Sequence, residues 1–207
     1  MDHCCNNKRQ ELETLARDRA QRRVLVIVMV INLAMFVVEF GAGLIARSSA
    51  LQADAVDMLG DGVVYALSLW AIGRGPRWDA GAALAKGVLI LAFFLFIVWG
   101  IVDKLIHGVA PASGLMLIFG AIALLANLTC LALLWRFRAL NLNMKSTFEC
   151  SRNDVAANAG VLIAGAAVGL MGYGWPDVLI ASIIALVFLR SALGVIREAW
   201  PAWRKAS

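Results

Sequence analysis

Asp54, Asp57 and Asp61 fall within eight residues of an otherwise apolar run. At 100° per residue, Asp57 lies about 60° behind Asp54 and Asp61 about 40° beyond Asp57, so a helix carries all three on one narrow face. A carboxylate at bilayer depth costs at least ~2.5–3.5 kcal/mol unless it faces a polar interior, and that face is therefore expected to point inward. A second constellation follows in Thr147-Phe148-Glu149-Cys150-Ser151-Arg152-Asn153-Asp154, where Cys150 and Asp154 are four residues apart and Asn158 is four further on. These residues too share a helical face. Set on neighbouring helices, Asp57, Asp61, Cys150 and Asp154 supply three carboxylates and one sulfur, a four-ligand set that suits a tetrahedral divalent ion. A polar seam between helices would account for one such aspartate but poorly for three, and a cysteine standing alone is more often a small buried hydrophobe.

The elements that must position these residues are apolar. The chain has 207 residues, of which 61% are hydrophobic and 16% charged, with a mean hydropathy of +0.79. That composition excludes a water-soluble globule and a disordered tail. Six runs are long enough to span a bilayer, near Val24 to Ala46, Leu51 to Ile72, Ala80 to Leu105, Gly114 to Trp135, Ser146 to Met171 and Val178 to Ile196. The first is too long for the core of a cleaved signal. The expected fold is all-α, a polytopic membrane protein with six transmembrane helices, and its short connections make successive helices antiparallel neighbours.

Basic residues orient it. Fourteen Lys and Arg flank the runs on one set of alternate segments (among them Lys8, Arg22, Arg74, Arg136 and Arg204), whereas Arg47 and Lys104 alone flank the other set. Both termini are therefore expected in the cytoplasm. The net charge of +5 then reflects contact with a lipid surface and not a nucleic acid partner. Residues 1–23 form a cytoplasmic N-terminal segment, 24–197 the six-helix transmembrane domain and 198–207 a short cytoplasmic tail. Asp2-His3-Cys4-Cys5 could collect a soft ion, but an irregular start is the expected state of such a terminus. The cysteines show no repeated spacing and are read as reduced thiols.

Other polar residues have quieter readings. Asn32, Glu39, Lys86 and Asn127 are expected to bond between helices, and Asp177, after Pro176, to cap the sixth helix. Gly165 and Gly169 form a GxxxG spacing that permits close helix approach. Trp99, Trp135, Trp175 and Trp200 fall near run ends, as an interfacial belt requires.

At the acidic pairs the chain resembles the cation diffusion facilitator family, whose members carry an Asp or His and an Asp at i, i+4 on the second helix and another such pair on the fifth. The resemblance runs through nearly the whole chain. It takes in Asn32 and Phe36-Val37-Val38-Glu39-Phe40-Gly41, then Ser49 through Asp61, Asn127, the pair Cys150 and Asp154, and Trp175-Pro176-Asp177. It implies a homodimeric exporter of divalent metal driven by proton antiport, in a bacterial inner membrane, and not an enzyme. Two departures from the family are visible. Cys150 stands where His or Asp is usual, and only about ten residues follow the last run where members usually carry a cytoplasmic metal-binding domain, so dimerisation is expected to rest on the membrane part.

Protons and a dication compete for the same ligand atoms, so metal affinity falls as protons are added, and a site facing the two sides in turn exchanges one for the other. A thiolate disfavours Mg²⁺, Ca²⁺ and Mn²⁺ and suits Zn²⁺, Cd²⁺ and softer ions. Zinc is expected first and cadmium second, each as cargo and not as a bound cofactor. The alternatives are a membrane metal sensor or structural subunit without transport, and an intramembrane aspartyl protease. The protease reading lacks its Gly-x-Gly-Asp signature, since Met58-Leu59-Gly60-Asp61 stands here.

Overall fold

The protein is seen here in a computed structural model that describes residues 2–71, 76–139 and 142–205. It consists of α1 (Asp2–Ala46), α2 (Ser49–Ala71), α3 (Pro76–His107), α4 (Ser113–Trp135), α5 (Leu142–Met171) and α6 (Trp175–Lys205). The six apolar runs fall one to a helix. Two ends differ from expectation: α1 begins at Asp2 where an irregular start was expected, and α6 continues through Pro201 to Lys205.

Five of the helices contain stretches long and apolar enough to cross a membrane: Arg19–Ala46, Gly87–His107, Ser113–Trp135, Ser151–Met171 and Trp175–Gly194. The exception is α2, whose aspartates dilute its hydropathy. It nevertheless sits at the centre and touches each of the other five helices. The bundle sets polar side chains into an otherwise apolar core and keeps its outer surface apolar, as a lipid solvent requires. Leu170 is 89% exposed, and Val37, Ile45, Leu95 and Val187 also face outward, while Glu39, Asp54, Asn127 and Asn158 are buried. Trp99, Trp135, Trp175 and Trp200 all lie on the outer surface. Arg138 and Arg204 stack over Trp135 and Trp200 at 4.1 and 5.0 Å, which sets aromatic and cation together at one end of the bundle.

Helix pairing departs from simple succession in one place. α1 packs on α2 and α4 on α5, but α3 packs chiefly on α6, and no contact joins α3 to α4 among the described residues. The connection explains this. Gly108, at φ +65°, ends α3 in the left-handed region with its N–H on the Lys104 carbonyl at 2.9 Å. The chain then crosses the bundle end, where the Ala112 N–H meets the Ala46 carbonyl of α1 at 2.9 Å. Gly174 of the α5–α6 turn nestles against it, since a Cβ there would lie 2.8 Å from the Val109 carbonyl. The GxxxG pair performs its expected role: a Cβ on Gly165 would approach Met116 Cβ to 3.0 Å and one on Gly169 would approach Ser113 Oγ to 3.2 Å, so α5 lies close on α4.

Asp177 corrects its expected role. It lies inside the first turn of α6 and caps α2 instead. Its carboxylate accepts from Ser48 Oγ at 2.6 Å, the Ser49 N–H at 2.9 Å, the Ala50 N–H at 3.1 Å and Lys104 Nζ at 2.5 Å. Ser48 Oγ takes the next α2 donor, the Leu51 N–H, at 3.1 Å. The first turn of α2 thus has its free amides satisfied in a buried setting, where leaving them unpaired would be costly. Lys104, counted above among the flanking cations, is buried in this cluster.

Candidate metal centre

Two apolar layers bracket the acidic residues. Toward the α1–α2 turn lies a cluster that includes Leu51, Val56, Met116, Val161 and Ile184. Toward the other end lie Val28, Tyr65, Cys130, Leu134 and Phe137. Along α2, Asp57 and Asp61 fall between Val56 and Tyr65. Along α5, Asp154 falls between Phe148 and Val161. The helical period that puts the aspartates of α2 on one face therefore delivers them to the level of Asp154.

Asp154 is buried and its carboxyl lies within hydrogen-bonding reach of that of Asp57, with Asp61 and Asp54 near enough for their charges to act on it. Asp57 and Asp61 are half-buried, and Tyr65 Oη reaches Asp61 Oδ2 at 3.5 Å. The structure thus brings three of the four candidate ligands, Asp57, Asp61 and Asp154, into one neighbourhood between α2 and α5. Among the described residues no three Asp, Glu, His or Cys side chains converge closely enough to hold an ion as they stand. Cys150 lies one turn before Asp154 on α5, and its side chain is outside the described residues, as are those of Lys86, His3, Cys4 and Cys5.

Asp54 separates from this group and turns to another. It is buried at 1% exposure, and its carboxyl pairs with that of Glu39 on α1. Asn158 links the two levels: its Nδ2 donates to Asp54 Oδ1 at 3.2 Å and to the Asp154 main-chain carbonyl at 2.9 Å. The signal for this was present in Asn158, spaced four residues from Asp154, but nothing in the sequence pairs Glu39 with Asp54.

Of the remaining polar residues, Asn32 bonds between helices as expected, with Nδ2 on the Val28 carbonyl at 2.9 Å and near Cys130 Sγ of α4 at 3.9 Å. Asn127 is buried with its Nδ2 lacking a partner among the described residues. Cys130 is a free, buried thiol close enough to Asp154 and Asp61 to sense both charges. Sequence reasoning passed over it because a lone cysteine inside an apolar run carries no spacing signal.

Residues 25–202 match the cation efflux transmembrane domain. The chain is similar to the cadmium, cobalt and zinc/H(+)-K(+) antiporter of Bacillus subtilis, with 24% identity over 193 residues that cover 86% of this chain and 62% of that protein. It is also similar to the metal cation efflux system protein CzcD of Cupriavidus metallidurans, 25% identical over 198 residues covering 86% and 63% of the two chains. The zinc transporter ZitB of Yersinia pestis shares 26% identity over 200 residues, covering 89% and 63%. The chain therefore spans less than two thirds of the length of these relatives.

Proposed function

Because this chain belongs to the cation efflux family, whose transmembrane domain matches residues 25–202, we propose that it exports divalent metal cations in exchange for protons. Zinc is the leading cargo and cadmium the second, the membrane is a bacterial inner membrane, the working form is a homodimer, and both termini lie in the cytoplasm. The observation that carries this reading is the meeting of Asp57 on α2 with Asp154 on α5 inside the helical bundle. Two carboxylates from different helices, held within hydrogen-bonding reach at membrane depth, are a costly arrangement unless a cation sits among them.

Asp57, Asp61 and Asp154, completed by Cys150, form the transport site in this reading. The carboxylates supply charge, and the sulfur biases the set toward zinc and softer ions. With metal absent, protons occupy the carboxylates. Metal arrival from the cytoplasm displaces them, and protons arriving from the opposite face displace the metal in turn. The names of the relatives, which cite cadmium, cobalt, zinc and an antiporter, support cargo and coupling alike.

Sealed proteoliposomes test this directly, with zinc or cadmium offered outside and a pH dye trapped inside. Metal uptake accompanied by opposite proton movement is the expected result. Metal binding without flux would instead place the protein among metal sensors, and metal flux indifferent to a pH gradient would remove the antiport mechanism.

A further inference from the structure

We propose that Glu39, Asp54 and Asn158 form a second cation-holding station, distinct from the metal ligands, in which the two carboxyls share one proton that leaves when metal binds. The inference rests on the metal site proposed above and extends it.

The geometry begins with oxygen atoms that have no donor. With both carboxyls ionised, Glu39 Oε1 and Oε2 and Asp54 Oδ2 lack a hydrogen-bond partner among the described residues, and Asn158 Oδ1 is also unpartnered. Glu39 and Asn158 are fully buried and Asp54 is 1% exposed. Yet the two carboxyls lie within hydrogen-bonding reach of each other. Buried polar groups are almost always paired, so a cluster whose four unpartnered atoms are all acceptor oxygens is short of one positive species. Two unit negative charges about 4 Å apart repel by roughly 4 kcal/mol at an effective dielectric of 20, before the cost of burying them is added. A proton joins two carboxyl oxygens at this separation without further ligands. The set offers no sulfur or imidazole to a soft ion, and too few oxygens for potassium or calcium.

Its position gives the station a task. Asp54 precedes Asp57 by three residues, about 4.5 Å along α2, and Asn158 follows Asp154 by one turn. The station therefore lies on the side of the metal ligands nearer the α1–α2 turn, the non-cytoplasmic end in the proposed topology. At that end of the bundle lies a cleft lined by Arg47, Gln52, Asp103, Lys104 and His107. The charged groups that face the pair are Asp57 of α2 and Asp154 of α5. Asn158 ties Asp54 to the backbone of Asp154. A dication that replaces the proton held between Asp57 and Asp154 brings two positive charges where there was one, and the added charge beside the pair expels the shared proton.

Proton release on zinc binding, read by a dye in weakly buffered detergent solution of the full chain, tests the proposal. Glu39→Gln keeps a donor for Asp54, and Asp54→Asn keeps one for Glu39, so either can preserve the hydrogen bond. Each single variant should lower the protons released per zinc by about one, and the double variant should lower it no further, because the pair holds a single proton. Unchanged release in both single variants, or losses that add in the double variant, would overturn the station. Replacing potassium by choline should change nothing, and release that required potassium would assign the pair to a metal ion and overturn it equally. In the unmutated, metal-free protein, infrared spectra should show the carbonyl stretch of a protonated carboxyl that disappears on zinc binding, and its absence would count against the proposal whether or not the variants fold. If wild-type protein neither binds zinc nor releases any proton with it, the failure belongs to the proposed metal site itself.

Discussion

Ser48 and Asp177 are 129 residues apart and meet at 2.6 Å, hydroxyl to carboxylate, where α2 begins against the first turn of α6. The same carboxylate receives Lys104 from α3. Three helices that hold no candidate ligand beyond those of α2 are thereby joined at one buried atom group, which sets the axial position of α2 relative to α3 and α6. The tie is electrostatic as well as geometric, since a carboxylate at a helix start complements the positive end of the helix dipole.

Asp177→Asn should therefore destabilise the protein. It leaves the Lys104 ammonium buried without its countercharge, a change that costs about 3–5 kcal/mol for a buried pair. Thermal unfolding in detergent should show a clear fall, and Lys104→Met combined with Asp177→Asn should recover part of it. A melting point equal to wild type in Asp177→Asn would mean the pair carries no net stability.

The contact of α4 with α5 predicts a contrast between two glycines. Gly165→Val places atoms where Met116 Cβ already lies 3.0 Å from the added Cβ, whereas Gly114 has nothing within 4 Å. Overpacking of this kind costs about 1–3 kcal/mol. Gly165→Val should lower thermal stability by that order, and Gly114→Ala should leave it unchanged.

At the proposed transport site, Asp57→Asn and Asp154→Asn keep side-chain volume and remove a charge. Loss of a ligand should exceed the roughly 10–100-fold effect of losing a supporting residue. Metal flux in proteoliposomes should drop accordingly, with the protein still folded by its elution profile. Wild-type exchange rates in either variant would dismantle the site.

Metal preference provides a separate test of the sulfur. Cys150→His replaces a soft ligand with a borderline one and should raise the ratio of zinc to cadmium transport. Cys130→Ser, on α4 and close to Asp61 and Asp154, is the necessary comparison because it removes the other thiol of this region. A ratio that moved with Cys130 and not with Cys150 would exchange their roles.

The proposed topology rests on the basic residues. A cysteine introduced at Ser207, in a protein otherwise free of reactive thiols, should resist an impermeant reagent applied to intact cells and react once the cells are opened. Labelling from outside would reverse the orientation.

Much of this architecture is legible in the sequence because a lipid solvent allows few solutions. Apolar runs must be helices, and their lengths locate α3, α4 and α5 to within a few residues. The inward face of α2 follows from the spacing of Asp54, Asp57 and Asp61. What stays hidden is the choice of partner. Local capping logic assigns Asp177 to its own helix, but a free carboxylate seeks the best set of donors in space, and α2 with Lys104 provides it. Likewise α3 and α4 adjoin in sequence and stay apart in space, because Gly108 and the tie of Ala112 to Ala46 carry the chain across the bundle end. The alliance of Glu39 with Asp54 depends on the rotation of α1 against α2, which no periodicity within either helix encodes.

The polarity of α2 also bears on how the protein is made. A helix that delivers three aspartates to the bilayer is a poor candidate for insertion by itself, since each acid disfavours partition by about 2.5–3.5 kcal/mol at its centre. Only Arg47 and Ser48 separate α1 from α2, so the two must enter together as a hairpin, with Glu39 the first group able to share the burden of Asp54. The amide of Asn158, the carboxyl of Asp154 and the Asp177 cap emerge from the ribosome only later. The central helix is thus synthesised ahead of α5 and α6 and is among the last to be secured, and a nascent chain halted before α5 would present quality-control proteases with an acidic span that has none of its α5 and α6 contacts.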